Sequence, residues 1–342
     1  MENWSTFRQV NVLLIVSFSA LLLLAFTNKK PVYSSAKWGF YGHKRINRMA
    51  VFTLPPELIG FYKEHIEYIT EHAVDPDKRR YAVDGEAPKH YIDIDHYAHE
   101  HENPFDVVPK RWKDAALKFS EDTLMSYGIV PWHIEVMVNK LTKAFESKDV
   151  DLILKYSADL GHYIGDAHVP LHTTKNYNGQ LTNQYGIHGL WESRLPELFA
   201  ANYDYFVGKA RYYNDVNEFA WNAVFHSHMA VDSVLNLEKI LSREFSTDAK
   251  YSFETRGATT VKSYSKDFST AYHNQLNGMV ERRFREAIIG VGSMWYTAWV
   301  NAGQPNMYEL MYVKPSDELL KSQEQLDQDV HSGKAKGRVC DH

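Results

Sequence analysis

Histidine and carboxylate side chains recur between residues 162 and 192 at spacings that suit the binding of a metal ion. His162 and Asp166 are four residues apart and share one face if this segment is helical. Pro170 should end such a helix, so His172 follows in the loop beyond it. An imidazole and a carboxylate that face the same way, with a second imidazole nearby, are ligands typical of a zinc site.

A second pair, His188 and Glu192, repeats the spacing of four residues. One pair of this kind is usually a surface ion pair, whereas two pairs and His172 in one stretch of sequence indicate a metal site on a helical scaffold. The single cysteine, Cys340, lies near the C-terminus, so neither a disulfide within the fold nor a thiolate ligand is expected. Any metal is therefore held by His, Asp and Glu, a set that also accepts manganese or cobalt.

Four long segments show the apolar spacing of amphipathic helices. They are residues 132–147, 151–164, 216–243 and 267–300. Gly303 and Pro305 follow the last of them, as is typical of a helix end. No regular series of hairpins is evident, so we predict one all-α domain over residues 38–312. Residues 313–342 form a polar C-terminal tail, of which residues 316–342 are expected to be frayed or disordered.

The N-terminus carries a targeting signal. Arg8 precedes an apolar run from residue 12 to residue 26, which suits a signal peptide and falls slightly short of a typical membrane span. Residues 34–36, Ser-Ser-Ala, offer a cleavage site. Residues 1–37 are therefore predicted to be a signal peptide or, alternatively, an uncleaved N-terminal anchor that associates the protein with the membrane. In either case the protein is exported, to the periplasm or the extracellular space.

The chain is acidic, with 43 Asp and Glu residues against 38 Lys and Arg residues and a formal net charge of −5. General binding to nucleic acid requires clustered Lys and Arg side chains that neutralise phosphates. The composition therefore argues against a general nucleic-acid binder, although it leaves room for a local site that holds one phosphate. No feature of the sequence indicates an obligate protein partner.

At these motifs the sequence resembles the superfamily of the bacterial zinc-dependent phospholipases C and the fungal and plant single-strand-specific nucleases. Its members share a histidine, an aspartate four residues later and a histidine six residues beyond, followed by a His-x-x-x-Glu or His-x-x-x-Asp pair. These positions here are His162, Asp166, His172, His188 and Glu192. Members also begin the mature chain with a Trp that a His follows five residues later, as Trp38 and His43 do. An aspartate and a histidine about fifteen residues apart lie between the motifs, where Asp75 and His90 fit.

The resemblance implies an all-α fold and three bound zinc ions. The first ion would be held by Asp75, His90, His162 and Asp166. The second would be held by His172, His188 and Glu192. The third would be held by Trp38, His43 and the other oxygen of Asp166.

The same resemblance implies a zinc-dependent phosphodiester hydrolase. A water shared by two zinc ions would lose a proton near neutral pH and attack the phosphorus as hydroxide, and the remaining zinc would stabilise charge on the leaving oxygen. Asp166 would bridge two ions and Asp75 would orient the attacking water. These two carboxylates are therefore the predicted catalytic residues.

Some positions depart from the family pattern. The ligand aspartate is often followed by arginine at the third position, whereas Asp75 is followed there by Lys78 and one residue later by Arg79. Arg79 is the predicted substrate-binding arginine, and Asp77 is close enough to compete with Asp75 as the ligand. Family members also use the free amine of the first residue, and cleavage at the predicted site would leave a lysine in front of Trp38.

The indications of substrate conflict. The gap of sixteen residues between His172 and His188, and the use of Glu192, favour a phospholipase C-type enzyme acting on phospholipids, which is the preferred interpretation. Tyr91 and Asp93 instead resemble the nuclease segment in which an aromatic ring and an aspartate hold a base. The alternative is therefore a single-strand-specific endonuclease. A third hypothesis is a membrane-tethered binding protein with structural zinc, which closed four-ligand sites would support.

Overall fold

The structure is a computed structural model that describes residues 39–256 and 259–331. The predicted leader, residues 1–37, and the predicted ligand Trp38 lie outside the described residues. None of the helices in the described part of the chain is both long enough and apolar enough to cross a membrane.

Helices make up most of the described chain, which confirms the predicted all-α class. The first half contains α1 (Phe40–Ala50), α2 (Pro56–Glu64), α3 (Ile66–Glu71), α4 (Asp75–Ala82), α5 (Pro104–Val107), α6 (Trp112–Phe119), α7 (Glu121–Tyr127), α8 (Val130–Glu146) and α9 (Val150–Ala167). The second half contains α10 (Ile187–Gly189), α11 (Leu195–Phe199), α12 (Val216–His228), α13 (Val231–Leu241), α14 (Thr247–Lys250), α15 (Lys266–Gln275), α16 (Met279–Asn301) and α17 (Asp317–His331). Two antiparallel strands, β1 (Tyr251–Arg256) and β2 (Thr259–Tyr264), lie between α14 and α15.

Short turns connect several of these helices. Three of them are the 3₁₀ turns His72–Val74, Ala87–His90 and Pro170–Thr173. A π-helical turn, Leu190–Arg194, joins α10 to α11. Turns of this π type occur frequently at functional sites. Pro170 follows the end of α9 as predicted, because α9 ends at Ala167.

The core is built around α9, which is buried along its entire second half. Every residue from Ser157 to Ala167 is buried. Helices α8 and α16 pack against it, and Trp295 of α16 donates its indole N–H to the carbonyl of Ser157 at 3.0 Å. Polar side chains are buried without large cost only where they meet partners. The buried His162 and Asp166 of α9 therefore require partners in the core.

The four predicted helical segments are confirmed, two of them as single helices. Residues 132–147 and 151–164 correspond to α8 and α9. Residues 216–243 form two helices, α12 and α13, and residues 267–300 form α15 and α16. The second break has a physical cause, because Asn277 and Gly278 have φ values of 48° and 72°. Such left-handed values end a helix.

The expectation that residues 316–342 are frayed or disordered is wrong for the residues that form α17. Leu319 of this helix is only 8% exposed, and Asp327 pairs with Lys78 of α4 at 2.8 Å. An isolated helix of 15 residues is marginal in water, so α17 depends on such contacts with the rest of the fold. The polar sequence did not indicate them, because the partner helix α4 is itself strongly charged.

Candidate metal centre

Three groups of histidine and carboxylate side chains converge at α1, α4, α9 and the turns around them. The ligand atoms of each group lie within 4.8 Å of one another. The groups are Asp77, His90 and His162; His172, His188 and Glu192; and His43, His162 and Asp166. Seven of the nine predicted ligand residues therefore belong to these groups.

The first group lies where α9 meets α4 and the turn before residue 91. Asp166 Oδ2 accepts a hydrogen bond from His90 Nδ1 at 2.9 Å and lies 3.2 Å from His162 Nε2. His162 Nδ1 donates to the carbonyl of Ala73 at 2.9 Å, so Nε2 of the neutral ring is an acceptor that points into the group. Asp77 Oδ1 lies 3.6 Å from the same nitrogen. Two imidazoles and two carboxylates thus face one point.

The second group combines His172, from the turn after α9, with His188 and Glu192. His172 Nδ1 donates to the carbonyl of His90 at 2.6 Å, and His188 Nδ1 donates to the carbonyl of Tyr177 at 3.1 Å. Both Nε2 atoms are left as acceptors in the neutral rings, 3.2 Å apart, with Glu192 Oε2 at 3.3 Å and 2.7 Å. Three acceptors this close, two of them buried, require a cation between them, either a proton or a metal ion.

Asp166 links the first group to His43 of α1. His43 Nε2 lies 3.3 Å from Asp166 Oδ1 and 3.5 Å from Glu192 Oε1. The absence of a side chain at Gly165 leaves room for the His43 ring, because a Cβ there would lie 2.9 Å from His43 Nδ1. Asp166 Oδ1 also lies 3.8 Å from His172 Nδ1. The two oxygens of Asp166 therefore face different groups, which is the geometry expected of a bridging ligand.

The electrostatics of the site favour a bound cation. Burial tends to raise the pKa of Asp166 and Glu192, but the neighbouring histidines hold both well below their ordinary values. Burial tends to lower the pKa of His172, but the same two carboxylates raise it to about 9, and they raise the pKa of His43 likewise. Protons on these histidines would thus supply the charge that a metal supplies when bound. A buried set of imidazoles and carboxylates without thiolates fits Zn²⁺.

Asp75, predicted as a ligand and as the carboxylate that orients the water, lies outside the three groups. It accepts hydrogen bonds from His72 Nδ1 at 2.8 Å and from Lys78 Nζ at 2.9 Å. Two residues along a helix correspond to a rotation of about 200°, so Asp77 faces away from Asp75 on α4. The structure therefore replaces Asp75 by Asp77 as the candidate ligand.

The predicted substrate-binding arginine also needs correction, because Arg79 lies behind the ligands rather than in front of them. Its guanidinium forms ion pairs with Asp159 at 2.9 Å and with Glu86 at 3.4 Å. Tyr163, which follows His162 on α9, also donates its hydroxyl to Glu86. Arg79 thus joins α4 to α9 and to the start of the turn that carries His90.

Replacing Arg79 by methionine should lower the free energy of unfolding by about 3–5 kcal/mol, because the buried Asp159 and Glu86 would lose their shared cation. Burial tends to raise the pKa of Glu86, but Arg79 and its neighbours lower it from 4.5 to about 2. The stabilising contribution of Glu86 is therefore complete above pH 4.5 and is lost as the pH falls towards 2. Urea unfolding at neutral pH and in acid measures both effects.

Arg48→Met is the matched control for this prediction. Arg48 pairs with Glu67 at 2.8 Å on the surface, where the two side chains are 37% and 74% exposed. An exposed pair contributes no more than about 1 kcal/mol. Equal losses for Arg48→Met and Arg79→Met would contradict the positioning role of Arg79.

Arg80, in contrast to Arg79, lies beside the candidate ligands of the second group. It lines a pocket with Tyr91, Asp93 and the two histidines of the second group. Gly128 allows the chain before α8 to support this pocket, because a Cβ there would lie 2.2 Å from the carbonyl oxygen of Tyr91. Tyr91 and Asp93 therefore lie beside the candidate metal centre, as predicted substrate contacts should, whereas Arg79 does not.

From the sequence, Asp77 was named as a competing ligand but Arg80 was not predicted, although the spacing between these two residues contained a signal for both. The resemblance asks for an arginine three residues after the ligand aspartate, and Arg80 stands three residues after Asp77. Asp75 was preferred because it precedes His90 by fifteen residues, whereas Asp77 precedes it by thirteen. The position of the arginine, unlike the spacing to His90, therefore indicates Asp77 rather than Asp75.

Comparison with known proteins identifies a family for the part of the chain that contains the three groups. A family model described as S1/P1 Nuclease matches residues 38–291 of the chain. No curated protein matches the sequence significantly. The family match includes all three groups and the adjoining pocket, and it ends within α16.

Proposed function

Because the chain belongs to the S1/P1 nuclease family, we propose that it cleaves single-stranded nucleic acid. Family membership makes the protein a zinc-dependent phosphodiester hydrolase, as the resemblance of the sequence implied. It favours the alternative interpretation, the single-strand nuclease, over the preferred phospholipase C, which is not confirmed. It also favours a hydrolase over a binding protein with structural zinc.

The family match carries this proposal, and the small pocket lined by Arg80, Tyr91 and Asp93 supports it. An aromatic ring can stack on the face of an unpaired base, and a carboxylate can accept hydrogen bonds from the N–H groups at its edge. The guanidinium of an arginine suits the oxygens of a phosphate. These contacts need no extended basic groove, so an acidic chain is compatible with a nucleic-acid substrate.

The proposed metal content is three zinc ions, one at each group. The first would be held by Asp77, His90, His162 and one oxygen of Asp166, the second by His172, His188 and Glu192, and the third by His43, the other oxygen of Asp166 and Trp38. When bound, the ions supply Lewis-acid charge and lower the pKa of a water at the site.

The side chains around this centre have separate tasks in the proposed reaction. Asp77 takes the role that the resemblance gave to Asp75, accepting a hydrogen bond from the attacking water. Arg80 neutralises charge that develops on the phosphoryl oxygens. Tyr91 and Asp93 hold the base and so fix the scissile bond relative to the centre. The Nδ1 hydrogen bonds of His162, His172 and His188 to backbone carbonyls keep these three rings aligned.

Export through residues 1–37 remains part of the proposal. The apolar run after Arg8 supports a signal peptide, and S1/P1 nucleases are typically secreted. Cleavage next to Trp38 would free its amine for the third ion. Membrane anchoring has no further support.

The substrate class is tested by a paired hydrolysis assay on the purified protein after its zinc has been counted. Single-stranded DNA, single-stranded RNA, duplex DNA and phosphatidylcholine vesicles are offered with and without chelator. Cleavage of the single strands, lost with chelator and regained with zinc, is the expected result. Release of phosphorylated headgroup without cleavage of nucleic acid would return the assignment to phospholipase C.

Replacing Arg80 by alanine should lower kcat on single-stranded DNA by about 10²–10³-fold, because one charge-stabilising donor is lost from the transition state. The zinc content should stay unchanged, since Arg80 holds no metal. Steady-state kinetics and metal analysis of the same preparation measure the two quantities. Arg111→Ala, which removes an exposed arginine that pairs with Asp215 at 2.9 Å, is the control and should retain full activity. Loss of zinc in Arg80→Ala would contradict the assigned role.

A further inference from the structure

The C-terminal helix α17 lies beyond the family match and packs behind the helix that carries Asp77. The match ends at residue 291, whereas α17 spans Asp317–His331. The helix against which α17 packs is α4. A helix beyond the matched residues therefore contacts the helix that carries the candidate ligand Asp77.

Helix α4 has little apolar surface with which to hold its position. Its eight residues, Asp-Pro-Asp-Lys-Arg-Arg-Tyr-Ala, are mostly charged, and a helix of that composition relies on polar contacts. Arg79 supplies such contacts on one side through two buried carboxylates. Lys78 supplies them on another, with Nζ 2.9 Å from Asp75 and 2.8 Å from Asp327 of α17. Lys78, which lies between Asp77 and Arg79, thus forms an ion pair directly with α17.

The apolar contribution to the packing of α17 is small. Leu319 is its one apolar side chain below a tenth exposed among the described residues, and Gln323 donates a hydrogen bond to the hydroxyl of Tyr68. A partly open pocket of about 250 Å³ lies between α17 and the side chains of Arg79 and Asp159. A short helix that buries little apolar surface can leave its site at low cost.

We propose that α17 is a positioning element for the metal centre, which is anchored by the buried Leu319, pairs with Lys78 of α4 through Asp327, and holds Asp77 and Arg80 in place. The proposal rests on the zinc site proposed above, because Asp77 is a ligand there. Coupling between two sites is reciprocal. Docking of α17 strengthens zinc binding, and zinc stabilises the docked helix by the same factor.

Leu319→Asp in the full chain tests the proposal, because a buried carboxylate without a partner should displace α17. Amide hydrogen exchange over residues 317–331 should accelerate. The affinity for zinc, measured without substrate by competition with a chelator, should fall by about tenfold, within the usual range of coupling between sites. Leu320→Asp is the matched control, because Leu320 is 41% exposed on the same helix, and it should change neither quantity.

A second variant examines the ion pair between α4 and α17, since Asp327→Asn removes the carboxylate that Lys78 pairs with on α17 while Asp327→Glu retains one. Asp327→Asn should weaken zinc binding by a few-fold, and Asp327→Glu should restore it. Zinc added to the wild-type protein should slow hydrogen exchange in α17. Unchanged zinc affinity in both Leu319→Asp and Asp327→Asn overturns the proposal. A wild-type protein that binds zinc without cleaving nucleic acid would refute the nuclease assignment and leave this test intact.

Discussion

Replacing Asp166 by asparagine should lower kcat/KM for phosphodiester hydrolysis by at least about 10³-fold. A metal ion contributes several kcal/mol of transition-state stabilisation, and each 1.36 kcal/mol corresponds to about a factor of ten in rate. Asp166 lies within 3.3 Å of His43, His90 and His162, which belong to two of the three groups. An amide in its place would present an N–H₂ donor to nitrogen atoms that are placed to bind metal, so at least two ions should be weakened together.

Zinc content and activity of Asp166→Asn are measured on one preparation, with thermal unfolding as the test of folding. Asp114→Asn is the control, because it makes the same change at an exposed position in the first turn of α6. Control activity should lie within about twofold of wild type, as is usual for a substitution away from the site. A folded Asp166→Asn variant with full zinc content and full activity would remove the bridging carboxylate from the mechanism.

The convergence of the candidate ligands on α9 and after it was predictable because their placement depends on local geometry. The helical period sets His162 and Asp166 one turn apart, and Pro170 stops the helix so that His172 returns towards them. The same spacing of four residues relates His188 to Glu192, although the second of them lies in a π-helical turn. Each of these relations spans only a few residues, so spacing alone was sufficient to predict it.

Long-range packing explains what the sequence did not predict. The rotation of α4 about its axis depends on the ion pair between Arg79 and Asp159 and on α17. Both Asp159 and α17 lie far from α4 in the sequence. One residue along a helix changes direction by about 100°, so spacing to His90 could not distinguish Asp75 from Asp77. The order of α17 was missed for the same reason, since its partners are charged residues far away in the chain.

The two aspartates of α4 differ in the partners that keep them ionised. Burial tends to raise both pKa values, but His72 and Lys78 lower that of Asp75, whereas His162 and His90 lower that of Asp77. The partners of Asp75 belong to none of the three groups, while both partners of Asp77 are candidate ligands. Removing the charge should therefore have different consequences at the two positions.

Asp77→Asn should weaken zinc binding at the first group by at least about 100-fold, more than the loss of a group that only orients a ligand, and activity should fall with it. Asp75→Asn should leave zinc content intact and lower the free energy of unfolding by about 1 kcal/mol, because its hydrogen bonds to His72 and Lys78 are partly exposed. Chelator competition, single-stranded DNA cleavage and urea unfolding of both variants make a matched comparison, since the same substitution is made two residues apart on one helix. Zinc loss in Asp75→Asn but not in Asp77→Asn would show that α4 is rotated in the metal-bound protein and would restore the ligand that the spacing to His90 favoured.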